Sequence, residues 1–263
     1  MKILYPKKKN LSQIKSFFIK KGLNKLVKES EKPDNEFTKL KSTSILKPDL
    51  LDLYNLYWYI YNNKRTTILE FGSGWSSLIF SLALNDLRKK FGKKKLNFRR
   101  NNLFELFILE NAKKFLNITK KKINSYKLNK NHSVHFCQSV VEMTTFNNLI
   151  CTKYKQLPMC NPDFIYLDGP DQFNIKGNIN GISTRHYDMM PMACDILRIE
   201  YFLTPGTIIV CDGRGANAKF IKDNLKRKWI YKNDTKSDQH IFLLKDPPLG
   251  KLNKNQLKFY WKD

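Results

Sequence analysis

Residues 66–77 read TTILEFGSGWSS, an apolar run that ends in an acidic residue and leads into two glycines, Gly72 and Gly74. The β-branched and apolar residues predict a buried strand, and the glycines permit a tight turn into a following helix. A helix that begins this way offers unpaired backbone amides and lets a ligand approach the backbone closely. The segment therefore predicts a nucleotide-type site beside Glu70.

Strand and helix patterns alternate along the rest of the chain, which is typical of a doubly wound parallel sheet. We expect an α/β, Rossmann-like fold with a mostly parallel, seven-stranded sheet and a C-terminal antiparallel hairpin. The expected strands are residues 66–71, 103–110, 133–137, 163–168, 207–212, 229–232 and 240–245. The expected helices are residues 49–63, 76–90, 111–126, 186–200 and 215–228. Residues 144–162 show no regular pattern and are expected to form an irregular surface insertion.

Three regions follow from this pattern. Residues 1–47 are a basic, partly helical extension, residues 48–248 form the ligand-binding domain, and residues 249–263 are a basic tail. Apolar residues of the extension recur at helical spacing. Such a stripe either contacts a membrane or nucleic acid, or packs on the main domain. We favour packing, because apolar stripes usually belong to the core.

The charge is the most unusual feature of the composition. The 263 residues include 48 Lys and Arg against 23 Asp and Glu, a formal net charge of +25. Only eight of the basic residues are Arg, the side chain that reads bases and phosphates with a bidentate fork. An AT-rich coding bias would produce the same lysine excess. Binding of nucleic acid through a basic surface therefore stays open as an alternative.

The sequence also limits the protein's location and its cysteine chemistry. No run is long and apolar enough to cross a bilayer, and the first ten residues, MKILYPKKKN, are not followed by a signal-type apolar segment. The five cysteines contain no C-x-x-C pair, which argues against a disulfide framework and a structural zinc site. We expect a cytoplasmic protein with reduced thiols.

The segment EFGSGWSS resembles the first motif of the class I S-adenosylmethionine-dependent methyltransferases, an acidic residue followed by G-x-G at this turn. Ser76 stands where many members have a third glycine. In element order the resemblance covers about residues 48–245, and the terminal hairpin agrees with the antiparallel seventh strand of the family. It implies S-adenosyl-L-methionine as cofactor and S-adenosyl-L-homocysteine as product. The cofactor-binding residues that it implies are Glu70, Gly72, Ser73, Gly74, Glu110 for the ribose, Gln138 and Ser139 for the adenine, and Asp168.

Methyl transfer requires alignment of the acceptor, and an acceptor hydroxyl must also lose its proton. Asp168 closes a central strand and His186 follows a Gly-bearing loop, residues 176–186, that we interpret as a substrate lid. These two are the candidate catalytic residues. The candidate substrate-binding residues are Arg185, Asp212 and Arg214.

A divalent metal is an alternative means of acidifying an acceptor hydroxyl. Asp168, Asp212 and Asn217 bear oxygen ligands that suit Mg²⁺, as in some small-molecule O-methyltransferases of this fold. We do not favour a metal, because Asn217 lies five residues after Asp212 and not beside it.

The sequence thus predicts an S-adenosylmethionine-dependent methyltransferase that acts on a small, hydroxyl-bearing acceptor such as a sugar, a nucleotide-sugar or another metabolite. Two alternatives stay open. An RNA or DNA methyltransferase agrees with the charge, although the sequence lacks the N/D-P-P-Y motif. The other is a non-catalytic binding protein of the same fold.

Overall fold

The computed structural model of the chain describes residues 1–33, 46–129 and 132–261. Parts of the predicted extension (34–45) and the end of the predicted tail (262–263) lie outside the described residues. The α-helices are α1 (Leu11–Lys20), α2 (Asn24–Ser30), α3 (Leu50–Asn62), α4 (Trp75–Phe91), α5 (Lys113–Ser125), α6 (Asp195–Ile199), α7 (Gly215–Asn224) and α8 (Gly250–Trp261). The strands are β1 (Thr67–Phe71), β2 (Glu105–Glu110), β3 (Val134–Gln138), β4 (Val141–Phe146), β5 (Leu149–Tyr154), β6 (Phe164–Leu167), β7 (Ile175–Lys176), β8 (Ile208–Asp212), β9 (Trp229–Asp234) and β10 (Gln239–Leu244).

The main sheet has seven strands in the order β3-β2-β1-β6-β8-β10-β9. The pairs from β3 to β8 are parallel, and β10 runs antiparallel to both of its neighbours, β8 and β9. The predicted α/β, Rossmann-like class and its C-terminal antiparallel hairpin are therefore confirmed. The chain order reverses at β1, so the crevice beyond the carboxyl ends of the strands lies at a topological switch point.

Both faces of the central strands are covered. Ile68 of β1 packs in the core that contains α3 and α4, whereas Leu69 and Phe71 pack in a second core with β5 and α6. Successive side chains of a strand point to opposite faces, so a strand covered on both sides is apolar at every position. All five residues of β1 are buried, which explains why Ile68, Leu69 and Phe71 are apolar on both faces of the strand.

The N-terminal stripe packs on the main domain. Asn10 caps α1 by accepting a hydrogen bond from the backbone N–H of Gln13, and the Gln13 side chain accepts in return from the Asn10 backbone. Phe18 is fully buried, and the Phe17 ring meets the Tyr57 ring of α3 edge to face. The apolar side of α1 is therefore occupied by the protein itself.

The expectation of an irregular insertion at 144–162 is wrong. Strands β4 and β5 pair as a hairpin, and with β7 they form a second, three-stranded sheet. The hairpin turns at Asn147 and Asn148, whose φ angles of 50° and 64° are the left-handed values of a two-residue hairpin turn. Alternation of buried Val141 and Met143 with polar neighbours was the available sequence signal.

The predicted helix over 186–200 is also wrong over most of its length. It begins only at Asp195 and continues as one 3₁₀ turn over Glu200–Phe202. Pro191 explains the late start, because its ring disfavours helical backbone at the preceding residue and removes a helical N–H.

The C-terminal helix α8 packs at the amino-terminal ends of the central parallel strands, opposite the crevice. The Tyr260 hydroxyl donates to the buried Asp163 carboxylate, which also accepts from the backbone N–H groups of Thr66 and Thr67. The guanidinium of the fully buried Arg65 lies 3.9 Å from the centroid of the Tyr260 ring. Within the described ranges, no helix is long and apolar enough to span a membrane.

Candidate active site

The carboxyl ends of β1 and β6 approach each other through two glycines. Gly72 has a φ of +106°, and a Cβ atom built there would lie 3.1 Å from the Gly169 nitrogen. A Cβ atom on Gly169 would lie 2.7 Å from the Gly72 nitrogen. The sequence assigned Gly72 to the tight turn and to the close approach of a ligand; the structure shows that it also admits the neighbouring backbone, and its cofactor-binding role remains a prediction.

Gly74 has a different environment. Its backbone is extended, with φ of 175°, and a Cβ atom there would meet nothing within 4 Å. Its N–H donates to the Ser77 hydroxyl at the start of α4. The turn thus leaves open space beside Gly74 at the N-terminus of a 17-residue helix, the geometry in which a ligand can lie against the backbone.

Glu70 is fully buried and faces the first turn of α4. It accepts hydrogen bonds from the hydroxyls of Ser76 at 2.5 Å and Ser77 at 2.6 Å. Burial raises the pKa of its carboxyl to about 8, although both hydroxyls oppose the rise. Ser76, the departure from the glycine pattern, thus supports the acidic residue, and Glu70 holds the turn in place.

Glu110, the last residue of β2, lies across the turn from Ser73. One carboxylate oxygen accepts from the Ser73 hydroxyl at 2.8 Å, and the other from the Ala112 backbone N–H at 2.8 Å. Burial raises the pKa of this carboxyl to about 7. Each carboxylate oxygen has a second lone pair, so the group can still accept from a pair of ligand hydroxyls.

Gln138 is the last residue of β3, and Ser139 follows it directly. Gln138 pairs with Glu110 across the sheet and its side chain is exposed, so it is free to contact a ligand at this edge. The Ser139 hydroxyl is buried and accepts from the backbone N–H of Gln156. Ser139 thus fastens the end of the β4–β5 hairpin to the main sheet.

Asp168 directly follows β6, Asp212 is the last residue of the adjacent strand β8, and the two carboxylates interact. Arg214 lies between them and the following loop: its Nε is 3.6 Å from Asp168, and its Nη1 donates to the Pro170 carbonyl. Burial and the Asp168 charge raise the pKa of Asp212 to about 7, while a hydrogen bond from the Tyr166 hydroxyl opposes the rise. Burial also raises the pKa of Asp168, against the effect of Arg214.

Two residues that the sequence did not single out belong to this acidic group. Gln239 of β10 donates to the side chain of Asp52, which lies in the first turn of α3. Burial, Asp212, Asp49 and Asp168 together raise the pKa of Asp52 far above its usual range. Asp52 is 160 residues from Asp212 in the chain, and an acidic residue in a first helical turn is too common to signal a site.

Tyr154 of β5 was also missed. Its side chain is fully buried, its ring lies 5.6 Å from the ring of Phe71, and its hydroxyl has no hydrogen-bond partner among the described residues. Burial and the nearby Glu110 carboxylate raise its pKa well above the usual value. It lies on the hairpin that the sequence analysis treated as irregular, so no pattern pointed to it.

His186 and Arg185, the candidate functional residues of the predicted lid, lie at the surface. The His186 ring is exposed and its Nδ1 is 3.7 Å from Asp188, while the His186 carbonyl accepts from the Gln172 side chain. Arg185 is exposed, and its Nε donates to Ser183. These contacts bring neither side chain to Asp168. Their catalytic and substrate-binding roles remain predictions.

The metal alternative depends on Asn217. Its side chain is fully buried, and its oxygen accepts from the Ala193 backbone N–H at 3.1 Å, so that oxygen already has a protein partner. Among the described residues, no three His, Cys, Asp or Glu side chains are placed to hold a metal ion.

The arrangement fits an adenosine-type cofactor. The open space at Gly74 leaves room beside the α4 amides, and Glu110 presents a carboxylate at the end of the adjacent strand. Charged carboxylates are strong acceptors for the hydroxyls of a ribose. Glu70, in contrast, is fully enclosed by α4 and acts through the turn.

No protein-family model matches the chain, and no curated protein matches its sequence. Among solved structures, it is similar to an O-methyltransferase from Bacillus cereus in complex with SAH (13% identity, TM-score 0.43, 89% of this chain and 97% of that one). It is also similar to the O-methyltransferase TomG from Streptomyces achromogenes, involved in tomaymycin synthesis, in complex with SAM (12%, 0.40, 93% of both chains). A third is a methyltransferase from Geobacter sulfurreducens (8%, 0.41, 92% of both chains). Because all three TM-scores are below 0.5, the assignment of function rests on this chain's own geometry.

Proposed function

We propose that this protein is an S-adenosylmethionine-dependent methyltransferase acting on a small, hydroxyl-bearing acceptor. The observation that carries the proposal is the placement of Gly74 and Glu110. They flank the switch point of a sheet whose order and single reversed strand β10 agree with the resemblance in the sequence. An open turn and a ribose-binding carboxylate on adjacent strands are what an adenosine-type ligand requires.

The cofactor, when bound, supplies an activated methyl group. The chain itself supplies position and proton transfer. Ser73 and Ala112 orient the Glu110 carboxylate through hydrogen bonds of 2.8 Å each. The carboxylate that would bind the ribose hydroxyls is therefore held in position before the ligand arrives. Asn111 fixes the neighbouring rim, because its side chain accepts from the Asp171 N–H and donates to the Asp171 carbonyl.

The acidic pair supports an acceptor that must lose a proton. Asp212 has a pKa of about 7, and a base works best when its pKa lies near the operating pH. Asp168 is partly exposed beside it and pairs with Arg214 at 3.6 Å. Asp168 is the candidate general base at this edge, where burial raises the pKa of its carboxyl and Arg214 lowers it.

Calorimetry with S-adenosylhomocysteine tests the cofactor assignment, since this ligand cannot react. We expect saturable binding at micromolar concentrations, weakened roughly tenfold or more in Glu110→Ala, which loses a charged hydrogen-bond acceptor. Glu105→Ala is the matched control, because Glu105 is the first residue of the same strand and lies at the end away from the crevice. No binding at millimolar ligand would refute the proposal.

The acceptor is tested separately, by transfer of a labelled methyl group to panels of hydroxyl-bearing sugars, nucleotide-sugars and related metabolites. Transfer to one of these supports the proposal. Transfer to RNA or DNA alone would replace it with the nucleic-acid alternative that the +25 charge favours. Cofactor binding without transfer to either class would favour a binding protein of the same fold.

A further inference from the structure

A cavity lies outside the crevice, between α2, α4 and α5. Its volume is about 640 Å³, which is within the range of small-molecule sites. Trp75 contributes to its wall and is the residue that follows Gly74 in the chain. Tyr126 lines the same wall just after α5. No step of the proposed methyl transfer uses this cavity.

The described walls of the cavity are strongly basic. Lys25 of α2, Lys32 just after it, and Lys121 and Lys122 of α5 line it, and the carboxylate among the described lining residues is Glu29. Glu29 lies 2.8 Å from the ammonium of Lys32, which lowers the pKa of the Glu29 carboxyl. Lys47 also lines the rim, so five lysines against one carboxylate leave a surplus of four positive charges among the described lining residues.

The innermost of these lysines is held in the cavity and not extended into water. The Lys122 ammonium lies 3.5 Å from the centroid of the Trp75 ring, a cation–π contact. Burial lowers the pKa of Lys122 to about 8, with Lys25 acting in the same direction, and Glu29 and Glu70 opposing. A buried cation with nearby like charge is stabilised by an anion that enters the cavity.

We propose that this cavity binds the diphosphate group of a nucleotide-type ligand. Two linked phosphates at the end of a nucleotide carry about three negative charges near neutral pH, which the positive surplus of the described walls can neutralise. Lysine binds phosphate as a point charge from several directions, as the four ammonium groups from two helical regions do here. The concave shape and the small volume favour a free nucleotide over a nucleic-acid strand, whose phosphates would be followed along an open groove.

Isothermal titration with inorganic pyrophosphate in 150 mM salt tests the proposal. We expect one site per chain with a dissociation constant below 1 mM. Lys122→Met and the double variant Lys25→Ala/Lys121→Ala should each weaken binding at least fivefold. Lys28→Ala and Lys114→Ala are matched controls on α2 and α5, because both lysines are exposed and lie outside the cavity wall. The controls should change the affinity less than twofold.

Three outcomes would overturn the proposal: no saturable binding of pyrophosphate, equal weakening in the cavity and control variants, or tight binding of single-stranded RNA without binding of pyrophosphate or ADP. Tighter binding of ADP than of pyrophosphate identifies a free nucleotide as the source of the phosphate. An unchanged urea-unfolding midpoint in Lys122→Met shows that the variant is folded. Because this control does not depend on S-adenosylhomocysteine binding, the phosphate site and the proposed function can fail independently.

Discussion

Gly72 and Gly169 meet at the ends of adjacent parallel strands so closely that a Cβ atom on Gly169 would overlap the Gly72 backbone and one on Gly72 would crowd Gly169. This contact sets the distance between the turn after β1 and the loop that begins at Asp168. The proposed cofactor side and the proposed base side of the crevice are therefore in direct backbone contact, and a change at either glycine affects both sides.

The first prediction concerns these glycines. Gly169→Ala places a Cβ atom 2.7 Å from a backbone nitrogen, and Gly72→Ala adds a side chain at a φ of +106°. We expect each substitution to lower the free energy of unfolding by about 2–4 kcal/mol, through overpacking and backbone strain. Urea denaturation followed by circular dichroism measures the effect.

Gly74→Ala is the matched control, because its backbone is extended and its Cβ atom meets nothing within 4 Å. Its stability should change by less than about 1 kcal/mol, the scale of a change at a helix N-cap. Its affinity for S-adenosylhomocysteine should nevertheless fall, because the methyl group enters the space assigned to the ligand. Equal destabilisation by all three variants would contradict this division of roles.

The second prediction concerns the pH dependence of cofactor binding. The carboxyl of Glu110 has a pKa of about 7, so it changes from mostly protonated to mostly ionised between pH 6 and pH 8. The ionised form is the stronger acceptor for ribose hydroxyls. The affinity for S-adenosylhomocysteine should therefore rise up to about tenfold over this range, as measured by calorimetry.

Glu110→Gln should bind more weakly and should lose this pH dependence. Glu105→Gln, at the other end of β2, should keep it. A wild-type affinity that is constant from pH 6 to pH 8 would show that Glu110 does not titrate in the binding step.

The third prediction concerns stability and follows from Glu70. Its pKa is about 8 in the folded protein, above the usual value of 4.5. A raised carboxyl pKa means that the folded state keeps a proton that the unfolded state has lost, so stability falls as pH rises between the two values. The contribution is fully present below about pH 4.5 and is lost as pH passes through about 8.

Glu70→Gln removes this titration. Relative to the wild type, the variant should gain about 1.4 kcal/mol in unfolding free energy for each pH unit within this window. Urea denaturation of both proteins at pH 5.5, 6.5 and 7.5 gives the difference directly. A difference that does not vary with pH would mean that Glu70 is already ionised in the folded state.

The acidic residues at the crevice could be predicted because each one ends an apolar run. Glu110 and Asp212 are the last residues of parallel strands, and such ends lie at one edge of the sheet. Asp52 and Gln239 could not be predicted in this way. They come together across 187 positions in the chain, through the packing of α3 on the sheet and the antiparallel insertion of β10.

The role of Gly72 shows a different limit. The sequence indicated a close approach at this position, but a pattern of glycines does not say whether a ligand or another strand comes close. Tyr154 shows a third limit, since its place under the crevice depends on how the β4–β5 hairpin packs against the sheet. Periodicity predicts which residues are buried, and the partners of a buried residue follow only from tertiary packing.

The fourth prediction concerns the positive charge. At least four of the eight arginines are buried or paired within the protein: Arg65 is fully buried, and Arg198, Arg214 and Arg227 pair with Asp195, Asp168 and Asp246. Binding of RNA should therefore rest mainly on lysine contacts to phosphate. The affinity should fall by roughly 10³-fold between about 50 and 200 mM salt, as counterion release requires. Filter binding at several salt concentrations gives the slope, and nanomolar binding of one particular RNA at 150–200 mM would contradict the prediction.

The last prediction tests Asp168 as the base, once an acceptor is identified. Asp168→Asn keeps the shape of the side chain and removes its charge, so turnover should fall roughly 10²-fold or more while S-adenosylhomocysteine affinity changes little. Asp223→Asn, an exposed change on α7, is the control and should leave turnover unchanged. Because Asp168 raises the pKa of Asp212, its loss should also shift the acidic limb of the pH–rate profile to lower pH if Asp212 contributes to that limb.

Chelation with EDTA should leave wild-type turnover unaffected, since the oxygen of Asn217 already accepts a hydrogen bond from the Ala193 N–H. Activity lost to EDTA and restored by Mg²⁺ would instead assign the carboxylates to a metal, and near-wild-type turnover in Asp168→Asn would make His186 the next residue to test.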